Sequence, residues 1–168
     1  MSKIILTGPE CSGKSTLSQA LAQHYKVAYA SEYAREFLSK LNRPYQERDL
    51  VSIAIGQHRL INALRKSPIT IADTGIEVIK IWSEVKYQRS SPIIKHLLNI
   101  NKPDLFILCG VDIPYQEDPL REHPNDRKEL YQIYLKELKS LNVPYIEVSG
   151  STEDRLKKSI KKIQSISA

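Results

Sequence analysis

Eight residues near the amino terminus, Gly8-Pro9-Glu10-Cys11-Ser12-Gly13-Lys14-Ser15, carry the spacing G-x-x-x-x-G-K-[ST]. Glycines let the backbone come close to phosphate oxygens with no side chain in between. Successive amide N–H groups and the open end of the helix that follows supply partial positive charge. Lys14 adds a full charge for the β- and γ-phosphates, and Ser15 a hydroxyl for Mg²⁺. Pro9, Glu10, Cys11 and Ser12 complete the loop, and Thr16 leads into the helix. The pattern implies a nucleoside triphosphate, with ATP and Mg²⁺ the expected pair. It does not by itself separate a kinase from an ATP-driven switch.

Further groups have chemistry to offer. Asp73 closes the apolar run Ile69-Thr70-Ile71-Ala72. A carboxylate at the end of a buried parallel strand stands at the edge where open sheets bind ligands. There it can hold Mg²⁺ or activate an acceptor hydroxyl; the other reading is a cap on the next helix. Glu32 and Arg35, three apart, share a helical face and either hold a polar substrate edge or make a surface ion pair. Arg121 lies in, and Arg127 beside, a polar, proline-bearing segment from Val111 to Asp126 that reads as an active-site loop or lid. Phosphoryl transfer needs such donors around the moving phosphate. Asp118 can orient one of them or meet a ribose. Tyr115, in the same segment, is a candidate for stacking on a planar base, whereas Trp82 reads first as core. His58 and His123 form no recognisable metal cluster with cysteine.

Five short apolar segments must position these groups: Lys3–Leu6, Val27–Ala30, Ile69–Ala72, Leu105–Cys109 and Tyr145–Val148. Their continuous apolar character suits a parallel sheet covered on both faces. The intervals are long enough for crossover helices, expected at Thr16–Tyr25, Glu32–Leu41, Glu47–Lys66, Ile76–Lys86, Pro92–Ile100 and Arg127–Leu141. Ser151-Thr152-Glu153-Asp154 has the form of a helix N-cap before a last amphipathic helix. Asn101-Lys102-Pro103-Asp104 ends one helix and launches a strand.

The chain has 168 residues, which suits one α/β domain, 1–168, with the lid at 111–127. No stretch reaches a membrane span, and the first strand starts at Lys3, so neither a membrane segment nor a leader is expected. Cys11 and Cys109 make no disulfide framework, which favours the cytoplasm. The net charge of +6 attracts phosphorylated ligands without naming a nucleic acid. The basic run Lys157, Lys158, Lys161 and Lys162 reads as a solvated helix face, and no nucleic-acid partner is expected.

In combination, GPECSGKST at Gly8–Thr16, SEYAREF at Ser31–Phe37, IADTG at Ile71–Gly75 and PYQEDPLR…DRKEL from Pro114 to Leu130 are selective. The chain resembles the ribosylnicotinamide kinase domain of the NadR-like P-loop ATPase family over nearly its whole length. The resemblance implies a P-loop fold of nucleoside monophosphate kinase type, with five parallel strands in the order 2-3-1-4-5. It implies transfer of the ATP γ-phosphate to nicotinamide riboside, a small-molecule riboside substrate. Lys14 and Ser15 then match the phosphate and Mg²⁺ residues, and Asp73 the acid ending the third strand. Glu32, Tyr33 and Arg35 match the substrate-side motif, and Asp118, Arg121 and Arg127 match lid positions. Tyr115 stands where the family commonly has tryptophan. Where the family often has DTD, this chain has Asp73-Thr74-Gly75. A kinase for another nucleoside or cofactor precursor, and an ATP- or GTP-dependent interaction module, are the alternatives.

Overall fold

Alternation along the strands sorts the apolar residues onto two faces. In a computed structural model, which describes residues 2–117 and 126–167, five strands form one parallel sheet in the order β2-β3-β1-β4-β5. They are β1 (Ser2–Thr7), β2 (Tyr29–Ala30), β3 (Ile69–Ala72), β4 (Leu105–Cys109) and β5 (Tyr145–Val148). Ile4 of β1 stands beside Ile71 of β3 and Leu105 of β4, so the three central strands share one register. This is the order expected from the resemblance.

Ile4, Leu6, Ile71, Ile107 and Val148 point to one face, where α1 (Lys14–Tyr25) and α7 (Thr152–Ser167) cover them with Leu17, Leu21 and Ile163. Ile5, Ala72, Phe106 and Leu108 point to the other, beneath α3 (Glu47–Ala63), α4 (Ile76–Tyr87) and α6 (Arg127–Leu141). The short α2 (Tyr33–Ser39) and α5 (Pro92–Ile100) pack on the outside of α3 and α4 through Ala34, Leu50, Ile53, Ile79 and Leu97. Every residue of β3 and β4 is buried, the pattern of strands sandwiched between helices.

Local chemistry moves two boundaries from the sequence-based expectation. Val27 and Ala28 are not strand. Lys26 adopts a left-handed conformation at φ 54°, its N–H donates to Gln23 O, and the Val27 N–H donates to Ala22 O. The start of the apolar run is thus spent on closing α1. Likewise α3 stops at Ala63, because the N–H groups of Leu64, Arg65 and Ser67 turn back to carbonyls three residues earlier. The expected cap at Ser151 is present. The Asp154 N–H donates to Ser151 Oγ at 3.1 Å, and the Ser151 N–H returns to Asp154 Oδ2 at 3.3 Å.

Candidate active site

The loop between β1 and α1 emerges at the carboxyl edge of the sheet, where strand order reverses on either side of β1. Its backbone needs its glycines. Gly8 has φ 133°, and a Cβ there would stand 2.8 Å from the Cys109 carbonyl oxygen of β4. Gly13 has φ 82°, and a Cβ there would meet Ile113 Cδ1 at 2.7 Å. Lys14 folds back over this loop, and its Nζ donates to Gly8 O at 2.9 Å and to Pro9 O at 2.8 Å. The ammonium is therefore held at the loop rather than left to range over solvent.

Asp73 lies next to it, 3% exposed, with Oδ1 unpartnered among the described residues. Burial raises its carboxyl above the ordinary range, and Glu32 adds to the rise; the Ser15 hydroxyl bonded to it, with Lys14 and Arg35, pulls the other way. A buried carboxylate oxygen with no partner, beside a serine hydroxyl, fits an oxygen-seeking divalent cation.

Lys14, Ser15, Glu32 and Arg35, the groups around Asp73, line a cavity of about 350 Å³. Residues 8–16 form its floor, so every residue expected for phosphate binding lines it. Glu32 and Arg35, at the start of α2, supply a polar side. Val78, Ile81, Trp82 and Val85 from α4 and Tyr134 from α6 supply an apolar wall. Trp82 thus has a double role. It packs against the apolar cluster under α2, yet it also lines the cavity, with Nε1 donating to the Tyr45 hydroxyl at 2.8 Å. The Lys86 ammonium caps that same hydroxyl at 2.5 Å and sits over the Tyr45 ring. The α4 wall was readable in principle from its spacing at 78, 81, 82 and 85, directly after the acidic strand end.

Other expected site residues stand elsewhere. Asp73 is near the cavity but does not line it. The Tyr33 ring packs on Gly56 of α3, and its N–H donates to Gln57 Oε1 at 2.8 Å. Arg127, the first residue of α6, has Nη1 on Cys11 O at 3.1 Å and on Ile113 O at 2.9 Å, with the Tyr115 ring 5.7 Å from its Cζ. Arg127 and Tyr115 therefore tie the phosphate loop to the segment after β4. The Cys11 thiol reinforces this tie, accepting the Gln116 N–H at 3.2 Å and donating to Pro114 O. Asp118 and Arg121, with the rest of 118–125 in the middle of the expected lid, lie outside the described residues.

A parallel sheet in this order, with this loop between β1 and α1, is a P-loop NTPase-like α/β fold. Residues 3–155 match the family model described as an AAA domain, and the chain belongs to that family. It is 27% identical over 159 residues to the trifunctional NAD biosynthesis/regulator protein NadR of Salmonella typhimurium, covering 90% of this chain. The chain spans 39% of that relative's length. Among solved structures it is similar to a NadR protein in complex with NR, with TM-score 0.82 and 18% identity, over 98% of this chain and 51% of that one. A NadR protein in complex with NAD and AMP-PNP gives TM-score 0.78 and 17% identity, over 98% of this chain and 49% of that one. Among the described residues no helix is long and apolar enough to cross a membrane.

Proposed function

We propose that this chain is an ATP- and Mg²⁺-dependent kinase that phosphorylates the 5′-hydroxyl of nicotinamide riboside, acting in the cytoplasm. The observation that carries the proposal is the shared cavity. A phosphate loop with a tethered lysine and a chamber with a polar side and an aromatic wall open onto one space, and the buried Asp73 carboxyl is bonded to Ser15 of its lining. A switch module would need the first half; the second half suits a small planar acceptor. The NadR complexes with NR and with AMP-PNP have the same fold and support the choice of ligands.

In the proposed reaction the amides of residues 8–16 and the Lys14 ammonium bind the triphosphate. Mg²⁺, held by Ser15 and Asp73, would neutralise charge between the β- and γ-phosphates. Glu32 and Arg35 fix the riboside's polar edge, with Tyr33 setting the start of α2 behind them. The ring rests against Trp82 and the α4 wall, with Tyr115 at the mouth of the loop after β4. Asp73 orients the acceptor hydroxyl and takes its proton as the oxygen bonds to the γ-phosphorus. The bond from that phosphorus to the β-phosphate bridge breaks, and ADP leaves. Arg127 and Arg121, with Asp118 orienting one of them or meeting the ribose, offset charge as a lid at 111–127 closes.

The test is ADP release with Mg²⁺, ATP and a panel of nucleosides. Nicotinamide riboside should accelerate release most, and Lys14→Ala should abolish the acceleration. Release that ignores every riboside contradicts the proposal, and a stronger response to another nucleoside redirects it to that substrate.

A further inference from the structure

Arg155, in the first turn of α7, is 2% exposed and heads the fully buried side chains by volume. Burying a guanidinium is costly unless each donor finds an acceptor. Here Nη1 donates to the Ser12 carbonyl at 2.6 Å, Nε to the Gly150 carbonyl at 3.0 Å, and Nη2 to Asp112 Oδ1 at 2.6 Å. Asp112 is itself anchored, its Oδ2 accepting the Gly150 N–H at 2.7 Å. One cation therefore joins three segments at the carboxyl edge of the sheet: the phosphate loop, the turn after β4 and the turn after β5.

The contact with Ser12 has a directional consequence. In a trans peptide the C=O and the next N–H point opposite ways. Drawing the Ser12 carbonyl down to the guanidinium turns the Gly13 N–H away from it. Gly13 itself lines the cavity. The guanidinium lies directly beneath, since a Cβ on Gly13 would come within 3.3 Å of Nη1. A charge-assisted bond to the carbonyl also polarises that peptide and strengthens its N–H as a donor.

We propose that Arg155 is a positioning residue for the nucleotide's phosphates: it aims the Gly13 amide into the cavity, and Asp112 holds it to that task. This deepens the kinase reading and rests on the loop binding a triphosphate. No acceptor residue is involved, so the effect belongs to the phosphates and not to the base or the riboside.

The test is calorimetry on the full chain with Mg²⁺ and three probes, ATP, inorganic tripolyphosphate and AMP, using wild type, Arg155→Met, Arg155→Lys and Asp112→Asn. Arg155→Met should weaken ATP and tripolyphosphate about tenfold or more while AMP changes by less than about twofold. Arg155→Lys should restore part of the loss, because an ammonium can still reach the Ser12 carbonyl. Asp112→Asn should give a smaller loss with the same dependence on phosphate number. Should Arg155→Met not fold, Arg155→Lys and Asp112→Asn carry the same comparison. Equal weakening of ATP and AMP, or no weakening, overturns the proposal while leaving the kinase reading intact. Failure of folded wild type to bind ATP or tripolyphosphate overturns the kinase reading first.

Discussion

The Glu77 carboxyl occupies the space that a side chain on Gly75 would need, so the two positions compete for one site. A Cβ built on Gly75 would overlap Glu77 Oε2 and also press on Ile5 Cγ2 at 2.8 Å. The Gly75 backbone is extended, at φ −108° and ψ −176°, so the obstacle is steric and not conformational. Gly75 is also where the resembling family often places its second aspartate.

Gly75→Asp alone should destabilise the fold by about 1–3 kcal/mol, the usual result of overpacking. Combined with Glu77→Ala, the same substitution should cost much less, because the contested volume is released. Urea denaturation of the two single variants and the double variant gives the coupling directly. Additive losses would show that the positions do not compete.

Stability should fall as pH rises through neutrality. Glu77 is fully buried, with no basic side chain paired to its carboxyl in any ion pair among the described residues. Burial pushes its carboxyl from the ordinary 4.5 up to about 7, and Glu137 on α6 adds to the rise; the Glu77 and Gly75 backbone N–H groups and the Thr7 hydroxyl offset only part of it. The folded state therefore holds this proton more tightly than the unfolded chain does. The benefit is complete below about pH 4.5 and disappears as pH climbs through 7, a swing of order 3 kcal/mol at most. Glu77→Gln should flatten that part of the curve and stabilise the protein at pH 8. Thermal unfolding from pH 5 to pH 8.5 checks both; an unchanged slope in the variant would contradict the assignment.

Asp73→Asn should separate binding from chemistry. The amide keeps the shape of the side chain and loses its capacity to take a proton. At saturating Mg²⁺, which offsets the loss of a carboxylate ligand, the kcat should drop by about 10²–10⁴-fold, with ATP affinity altered far less. Rapid-quench and equilibrium binding measurements on one preparation make the comparison, and wild-type kcat would remove Asp73 from the reaction.

Trp82 should govern the acceptor. Trp82→Phe keeps an aromatic face and loses the bond to Tyr45, so the riboside KM should move little. Trp82→Leu removes that face and should raise the riboside KM about tenfold, leaving the KM for ATP nearly unchanged. Steady-state kinetics with each substrate varied in turn reads the split.

The sheet was legible because its signals are local. Continuous apolar runs marked β1, β3, β4 and β5, and G-x-x-x-x-G-K-S marked the turn onto α1. The start of β2 was not, because Val27, which looks like strand, closes α1 instead, and pairing begins only at Tyr29. On the site, Lys14, Ser15 and Asp73 could be named from motif and position. Trp82 reads first as core, since an indole that packs on one side and lines a cavity on the other leaves the same mark in sequence as a buried one. Arg155 was invisible for a different reason. Its bond to Ser12 spans 143 positions, and nothing in the run Glu153-Asp154-Arg155 distinguishes it from a solvated helix charge.

Phosphorus NMR of a single reaction containing the protein, Mg²⁺, ATP and nicotinamide riboside tests the central claim most directly. The account predicts that the γ-phosphate signal disappears as ADP and one phosphomonoester grow in equal amounts, with little inorganic phosphate. Growth of ADP with inorganic phosphate alone, at a rate the riboside does not change, would contradict it.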